Sequence, residues 1–506
     1  MVKRKSEDAQ LSGRATNGKE CQIRRSSQTQ QACKKSTSTK PTKASAKPAV
    51  ATKDTKSDSK SASVSIQVVT GSYERVLHGF AATVSEDALQ SESSEEEQKE
   101  PTYSDTFLFA AHSSAVRCLA LSAPNEAHKR VLATGSTDER INLFNLSTSP
   151  PLVSDKPQLP SLSATSIIEN PRNKELGTLL HHARSVNKLQ FPTRGKLFSA
   201  ADDNTVAISR SRDWTVLSTI KCPIPKAVGR PSGDTAGPGE VPTGVNDFAI
   251  HPSMKVMVTV GKGERCMRLW NLVTGKKAGV LNFDKSLLQA AGEGRYSSGE
   301  GRKLAWGEDG EEYVVGFERG AVIYGMDSMP KAIIRPSPPT KLHQMRIVPA
   351  GEGHSILAIS TEDGRIIFYD LKTAIESEKE DEEVPQCAAL GQLGGNQAGF
   401  SGRIKDFEVL QHKAGAPLSI VTGSSDGAVR LWKCSLSEIL DGAGTEETKG
   451  AVRQVGTSIG THETGHRITC LAAFVMDGPA EVADDDEDED DAQDEAEGAD
   501  SNSDDE

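Results

Sequence analysis

Seven strand–turn–strand units of similar design recur between residues 66 and 434, and this recurrence restricts the fold more than any other feature of the chain. Each unit contains an apolar run, a turn rich in Asp, Gly, Asn or Ser, and a second apolar run. Short alternating runs bounded by turn residues predict β-strands rather than helices. The units are IQVVTGSYERVLHGFAATV (66–84), VLATGSTDERINLFNL (131–146), KLFSAADDNTVAISRSRDW (196–214), VMVTVGKGERCMRLWNL (256–272), EYVVGFERGAVIYGMD (312–327), ILAISTEDGRIIFYDL (356–371) and LSIVTGSSDGAVRLWKC (418–434).

Two further strands are predicted between consecutive units, as in TFLFAAH followed by AVRCLALS within residues 106–122. Four strands per unit, repeated seven times at a spacing of roughly 45–65 residues, indicate a β-propeller. A sandwich or a barrel does not require the same four-strand cadence seven times. We therefore expect an all-β, seven-bladed propeller.

The first unit lacks an inner strand before it, whereas the segment GHRITCLAAF (465–474) is one strand too many after the seventh unit. Unpaired strand edges favour aggregation, and closing a ring removes them. The sequence thus predicts that 465–474 pairs beside the 66–84 hairpin, so that both ends of the ring share one blade.

The chain divides into three parts by composition. Residues 1–60 carry 15 Lys/Arg against 5 Asp/Glu, and residues 481–506 carry 16 Asp/Glu with no Lys or Arg. Neither segment has the apolar residues needed to form a core, so both are predicted to be disordered tails. The propeller is assigned to 61–480, with an acidic loop at 86–104 and polar insertions at 148–176, 224–244, 373–402 and 435–452.

The basic arm suggests nuclear import and contact with a nucleic-acid backbone, rather than only a solvated tail. It has no aromatic residues for stacking on bases, so such binding would be weak, sensitive to salt and blind to sequence. The candidate residues are Lys3, Arg4, Lys5, Arg24, Arg25, Lys34 and Lys35.

The acidic segments could shield this arm, repel unwanted nucleic acid or bind basic proteins. Four serines in them have an acidic residue three positions later, the pattern that acidophilic kinases use. These phosphorylation candidates are Ser93, Ser94, Ser501 and Ser503.

The cysteines and the lengths of the apolar runs indicate the cellular compartment of the protein. Eight cysteines are scattered without a CxxC pair, which predicts reduced thiols and an intracellular protein. No apolar run reaches 18 residues and the N-terminus is too polar for a secretory signal, so no membrane association is expected.

Three motifs resemble catalytic signatures but lack the required context. His462–His466 fits HExxH, yet Gly465 interrupts it and no helix is predicted there to bring both imidazoles to one zinc ion. Residues 423–427 and 456–460 fit GxSxG, but a nucleophile elbow needs a helix to follow. We expect no enzyme activity, no cofactor and no metal.

The units resemble degenerate WD repeats. GSTD (135–138), GSSDG (423–427), LWNL (269–272) and GH (465–466) correspond to elements of that family. The resemblance implies hydrogen bonds within blades between a loop His, a turn Asp and a strand aromatic, with a structural role. It suggests His112 with Asp138 and His182 with Asp202 or Asp203, and it marks His466, Asp426, Trp270 and Trp432 as further members of such sets.

Three longer sequence segments resemble one particular family of WD-repeat proteins. GSYERVLHGFAA, TVAISRSRDWTVLSTIKCP (205–223) and VNDFAIHPSMKVMVTVGKGERCMRLWNLVTGKKAG (245–279) are similar to the PAK-interacting-protein-like family, whose fungal members are maintenance-of-killer proteins. This resemblance implies a nucleolar scaffold in assembly of the large ribosomal subunit and in rRNA maturation. The alternative that it leaves open is negative regulation of a PAK-type kinase, and a substrate receptor of a ubiquitin ligase rests on the fold alone.

The partners that this reading implies are pre-ribosomal proteins and the rRNA backbone, with the chain monomeric inside a larger complex in the nucleolus or nucleus. A PAK-type kinase is the partner in the alternative. Candidate surface residues for such contacts are Arg210, Arg212, Lys276 and Lys277.

Overall fold

The computed structural model describes residues 63–90, 100–150, 170, 172–225, 242–351, 354–375, 384–400, 402–413, 415–441 and 452–477. Within them the chain forms seven four-stranded antiparallel sheets, numbered here as blades 1 to 7. Blades 5 and 6 are joined at their outer edges by a single parallel bridge between Ile333 and Gln386. The predicted seven-bladed propeller is confirmed.

The strands follow one another from the inside of each blade to the outside. Blade 1 begins with β1 (Ser63–Ser72), β2 (Val76–Ser85) and β3 (Thr102–Ala110). Blade 2 contains β4 (Val116–Leu121), β5 (Lys129–Ser136), β6 (Ile141–Ser147) and β7 (Lys174–Leu179). Blade 3 contains β8 (Val186–Thr193), β9 (Lys196–Ala201), β10 (Thr205–Arg210) and β11 (Val216–Lys221). Blade 4 contains β12 (Val245–Ile250), β13 (Val256–Gly261), β14 (Cys266–Asn271) and β15 (Lys276–Asn282).

The second half of the ring repeats this order. Blade 5 contains β16 (Lys303–Trp306), β17 (Glu312–Gly316), β18 (Ala321–Gly325) and β19 (Pro330–Ile334). Blade 6 contains β20 (Leu342–Val348), β21 (Ile356–Thr361), β22 (Arg365–Ile375) and β23 (Gln386–Gly394). Blade 7 contains β24 (Ile404–Gln411), β25 (Leu418–Ser424), β26 (Ala428–Cys434) and β27 (Thr457–Glu463), and β28 (Ile468–Met476) completes blade 1. The helical elements are α1 (Glu86–Gln90), α2 (Lys285–Ala290), α3 (Leu436–Leu440) and a 3₁₀ turn at Asn396–Ala398.

The last strand closes the ring as the sequence predicts. β28 pairs antiparallel with β1, with Val68 opposite Ala473 and Gly71 opposite Cys470. It becomes the innermost strand of blade 1, and it contacts β24 of blade 7 on one side and β4 of blade 2 on the other. Because every innermost strand contacts its two neighbours in this way, the seven blades form an unbroken circle.

The core is distributed over the blade interfaces rather than gathered at one centre. Seven apolar clusters are present, and each combines side chains from two neighbouring blades. Phe80 and Ile468 of blade 1, for example, lie in one cluster with Val421 and Leu431 of blade 7. Strands covered on both faces explain why most units read as nearly continuous apolar runs.

One predicted insertion is wrong and another loop is shorter than expected. The interval 373–402 contains β23, the outer strand of blade 6, which pairs with β22. The sequence QCAALGQLG follows an acidic run and is rich in glycine and small residues, so its strand character depends on the partner strand rather than on a local pattern. The acidic loop 86–104 begins with α1 and ends where β3 starts at Thr102.

The other predicted insertions are described only at their edges. Residues 91–99, 151–169, 226–241, 376–383 and 442–451 lie outside the described residues, as do both tails. The basic-arm and phosphorylation candidates therefore lie outside them too. α3 occupies the start of the interval 435–452.

The cysteines in the described part of the chain are free thiols. Cys118, Cys266, Cys387, Cys434 and Cys470 are buried and Cys222 is half-buried, and none of these six forms a disulfide. Burial raises the pKa of the Cys118 thiol to about 12. Among the described helices, none has the length and apolar character to cross a bilayer.

Removing β28 should open the ring. Deletion of 465–506 leaves the inner edge of β1 unpaired and uncovers two blade interfaces, so we expect aggregation and the loss of a cooperative thermal transition. Deletion of 478–506 leaves every described strand in place and serves as the matched control. Size-exclusion chromatography and thermal unfolding measure the difference, and a cooperative, monomeric 1–464 chain would contradict ring closure by β28.

Candidate functional site

The turn of blade 2 is held by a hydrogen-bonded set centred on His112. Nδ1 of His112 lies 3.1 Å from Oδ2 of Asp138, and Nε2 lies 2.8 Å from Oγ1 of Thr134. The Ser113 N–H also donates to Asp138, at 2.9 Å. The set ties the loop before the inner strand to the β5–β6 turn, as the WD resemblance implies.

Burial sets the charge of these groups. It lowers the pKa of His112 below its ordinary value although Asp138 opposes this, so the imidazole is neutral near pH 7. Burial alone would raise the pKa of Asp138, but hydrogen bonds from Ser113, Arg140 and His112 hold it below its usual range. A neutral imidazole bonded through both nitrogens has no proton to offer to chemistry, and its role is to satisfy buried polar groups.

Blade 3 repeats the arrangement with Asp203 rather than Asp202. Nδ1 of His182 lies 3.0 Å from Oδ2 of Asp203, and Nε2 lies 2.8 Å from Oγ of Ser199. Asp202 instead accepts bonds from Asn187 and Lys262. The sequence did not decide which of the two aspartates bonds His182, and the structure shows that it is Asp203.

The two tryptophans keep part of the set in blades 4 and 7. Nε1 of Trp270 donates to Oγ1 of Thr259 at 2.9 Å, and Nε1 of Trp432 donates to Oγ1 of Thr422 at 3.2 Å. In blade 7 the ring of Phe400 stands edge-on to Trp432 at 4.8 Å, in the loop where blade 2 has its histidine. Aromatic packing has replaced hydrogen bonding there.

The structure does not bring His466 and Asp426 together. Asp426 bonds the Ala428 N–H and Arg430 within the β25–β26 turn. His466 precedes β28, so it belongs to the loop of blade 1, where the neighbouring Arg467 N–H donates to Glu74. Among the described residues, the imidazole of His466 makes no hydrogen bond. Ring closure therefore assigns His466 to blade 1 and Asp426 to blade 7.

The motif that resembles HExxH has strand geometry. His462 lies in β27 and His466 in the loop that follows. Side chains four residues apart face one way on a helix, but the strand and turn here separate these two. His462 instead approaches His78 and Asp105 of blade 1.

The central channel is lined by the innermost strands and encloses about 830 Å³. Near its middle the charges are paired: Lys188 with Asp247 at 3.2 Å, and Arg346 with Glu408 at 3.1 Å and Asp406 at 3.3 Å. The two aspartates also accept the backbone N–H groups of Leu304 and Leu471 on the next inner strand. These channel charges join neighbouring blades.

Burial in the channel shifts one carboxyl strongly. It raises the pKa of Glu408 to about 7, helped by Asp406, although Arg346 acts in the opposite direction. Lys303, which also faces the channel, has its pKa lowered by burial.

One mouth of the channel carries a ring of bulged residues that the sequence reading missed. Six innermost strands start with an apolar residue followed by a bulge, and the bulged residues are Arg117, Asn187, Asn246, His343, Lys405 and Thr469. Three of them donate to a backbone carbonyl of the next blade, namely Asn187 to Val245, Asn246 to Gly301 and Thr469 to Val116. Aligning the starts of the inner strands (VRC, VNK, VND, LHQ, IKD, ITC) would have revealed the pattern.

This end of the channel, called here the upper mouth, is rich in cations. Arg117 is exposed on its rim, and Lys405 Nζ lies 3.5 Å from Nε2 of His343. Burial and then the charges of Lys405 and Lys303 lower the pKa of His343 to about 4. Burial is the largest cause of this shift in the pKa of His343, and the nearby cations act in the same direction.

The four surface candidates lie elsewhere. Arg210 ends β10 and pairs with Asp213 at 3.5 Å, and Arg212 lies in the turn that follows. Lys276 and Lys277 are exposed on β15, the outer strand of blade 4. All four are on the outer part of blades 3 and 4, away from the upper mouth.

Comparison with known proteins agrees with this geometry. The model for "WD domain, G-beta repeat" matches residues 103–145 and 173–208. Protein MAK11 of Saccharomyces cerevisiae is 26% identical over 80% of this chain and 82% of its own length. The p21-activated protein kinase-interacting protein 1-like proteins of Danio rerio and Gallus gallus are 24% and 25% identical, over 83% and 81% of this chain and 83% and 80% of their own. The chain is a WD-repeat homologue of these proteins.

The two matched segments of this WD-repeat protein contain its two hydrogen-bonded pairs of loop His and turn Asp. The first runs from β3 to the end of β6 and contains His112 and Asp138, and the second contains His182 and Asp203. The remaining blades have the four strands but not this pair of loop His and turn Asp, and the family model does not match them.

Loss of His112 should destabilise the ring while loss of His466 should not. His112→Ala removes the two buried hydrogen bonds that the imidazole makes with Thr134 and Asp138, so the free energy of unfolding should fall by about 1–3 kcal/mol. His466→Ala removes an imidazole that makes no hydrogen bond in the described structure, and should change it by less than about 0.5 kcal/mol. Urea unfolding of both variants tests this, and equal effects would show that the His112 set does not stabilise blade 2.

Proposed function

We propose that this WD-repeat protein is a non-catalytic scaffold in nucleolar assembly of the large ribosomal subunit. The observation that carries the proposal is the concentration of cations at the upper mouth of a rigid ring. Similarity to MAK11 over most of both chains supports it. On this proposal the chain works as one copy inside a larger particle, where it binds pre-ribosomal proteins and the rRNA backbone.

The chemistry of the upper mouth favours phosphate over base recognition. Arg117 and Lys405 lie at the channel opening and Lys303 faces the channel, and burial together with the charges of Lys405 and Lys303 lowers the pKa of His343 to about 4. Lysine and arginine bind phosphate oxygens without regard to sequence, and the affinity falls as salt rises. Base identity would then be read by other components of the particle.

A scaffold without chemistry also accounts for the polar groups inside the ring. The buried His–Asp pairs stabilise the turns of blades 2 and 3, and the ion pairs in the middle of the channel join neighbouring blades. A propeller arranged in this way offers two faces and a rim for docking.

Reversing charge at the upper mouth should weaken association with ribosomal precursors. For Arg117→Glu/Lys405→Glu we expect reduced co-sedimentation with large-subunit precursors between about 50 and 200 mM salt, and a salt dependence shallower by about two charges. Lys276→Glu/Lys277→Glu changes the same charge on the outer strand of blade 4 and should sediment like the unchanged protein. Gradient fractions probed for the protein at several salt concentrations give the result, with and without RNase.

Kinase regulation is the second candidate, and the names of the relatives favour it, since three are called p21-activated protein kinase-interacting protein 1-like. It predicts that a PAK-type kinase co-purifies with the protein whether or not nuclease is added, and that the protein is diffuse in the cytoplasm. Nuclease-resistant kinase capture together with no precursor sedimentation would overturn the ribosomal proposal.

The basic arm gives a separate test of localisation, which we propose to be nucleolar. Removing residues 1–60 should reduce nuclear entry because the clusters at Lys3–Lys5, Arg24–Arg25 and Lys34–Lys35 are lost, while the ring stays folded. Fluorescence microscopy of tagged full-length and shortened chains measures this, with thermal unfolding as the folding control. Unchanged nuclear entry would remove the arm from the proposal.

A further inference from the structure

Three ligand-type side chains from two blades meet at the interface where the ring closes. His78 lies on β2 and Asp105 on β3 of blade 1, and His462 lies on β27 of blade 7. One nitrogen or oxygen of each lies within 4.8 Å of the others. The first two come from the start of the described chain and the third from its end.

The spacing suits a shared ion better than hydrogen bonding alone. Nε2 of His78 lies 2.8 Å from Oδ1 of Asp105, whereas Nε2 of His462 lies 3.8 Å from the same oxygen. The longer distance is beyond a hydrogen bond. Ligands of a tetrahedral zinc ion with bonds of 2.0–2.1 Å are about 3.3 Å apart, so the two distances to Asp105 each need to change by about half an ångström. The ligand atoms of the two histidines lie within 4.8 Å of each other and need to approach by up to about 1.5 Å.

Buried nitrogen atoms at this position lack partners among the described residues. Nδ1 of His78 and Nε2 of His462 are both buried without a hydrogen bond, and His78 is 5% exposed. Buried polar atoms are normally satisfied, and Nε2 of His462, the nitrogen that faces Asp105, has no partner, which indicates that one is missing there. Nδ1 of His78 is on the other side of its ring from the nitrogen bonded to Asp105, so it would not bind the same ion.

Aromatic packing fixes the ring of His462 in place. The rings of Phe80 and Tyr103 lie 4.3 and 4.9 Å from it, the second in a stacked arrangement. A ligand whose rotamer is locked by packing loses little entropy on binding an ion. The side chains of Asp105 and His462 are 11% and 20% exposed, so water can reach the cluster and supply a fourth ligand.

We propose that His78, Asp105 and His462 bind a zinc ion that clamps blade 7 to blade 1. Two imidazoles and a carboxylate are ligand types that zinc accepts, with a water molecule as the fourth ligand. This inference is independent of the proposed function.

The position gives the ion a structural task. Apart from the pairing of β28 with β1, the ring is held closed by contacts between blade 7 and blade 1. An ion bound by residues from both sides of this interface stabilises only the closed ring, because the open ring separates its ligands.

The test uses the full chain, freed of metal and of any histidine tag. Cobalt(II) is the probe, since in a tetrahedral nitrogen–oxygen site it absorbs visible light and zinc displaces it. We expect one equivalent of cobalt to bind, zinc to displace it, and zinc to raise the thermal unfolding midpoint. His462→Gln should weaken binding at least about tenfold and abolish the rise in midpoint.

His466→Gln is the matched control, because it removes the neighbouring histidine without touching the cluster. It should bind cobalt and respond to zinc like the unchanged protein. Asp105→Asn should behave like His462→Gln, and both are first checked for a cooperative transition in chelator. No stoichiometric binding, binding unaffected by His462→Gln, or binding lost only in His466→Gln would each overturn the proposal.

Discussion

The pairing of β28 with β1 is the interaction on which the rest of the molecule depends. Its side chains serve two interfaces at once: Ile468, Leu471 and Ala473 pack toward blade 7, while Phe474 and Met476 pack toward blade 2. No blade of a propeller has a core of its own, because each buries its apolar faces only against its neighbours. One strand from the far end of the described chain therefore completes two interfaces and links the other five into one closed ring.

The sequence was informative wherever local pattern decided the structure. All seven hairpins and the closing strand were predictable from apolar runs and turn residues, and the His112 and His182 networks could be placed from short motifs. It failed where a distant strand decides the outcome. β23 is a strand because β22 offers it an edge. The channel mouth was missed because its residues form a pattern only across blades.

The bulges explain how degenerate repeats still make a regular ring. Several blades have lost the hydrogen-bonded set of loop His and turn Asp, and in blade 7 Phe400 and Trp432 pack in its place. The contacts between blades are more regular: bulged Asn187, Asn246 and Thr469 each donate to the next blade, and Asp247 and Asp406 accept from it. The regular arrangement of the blades is thus set at the channel, where the innermost strands of neighbouring blades contact each other.

The use of channel residues for contacts between blades also determines which charges the channel can present to a partner. A charge that bridges two inner strands is partly neutralised and fixed, so Lys188, Arg346 and their carboxylates contribute little to the field outside. Arg117 and Lys405 occupy bulge positions, where the side chain is released from the sheet ladder and points away from its pairing partner. The external potential of the upper mouth therefore depends on residues that the fold does not need, and it can differ between relatives that share the same ring.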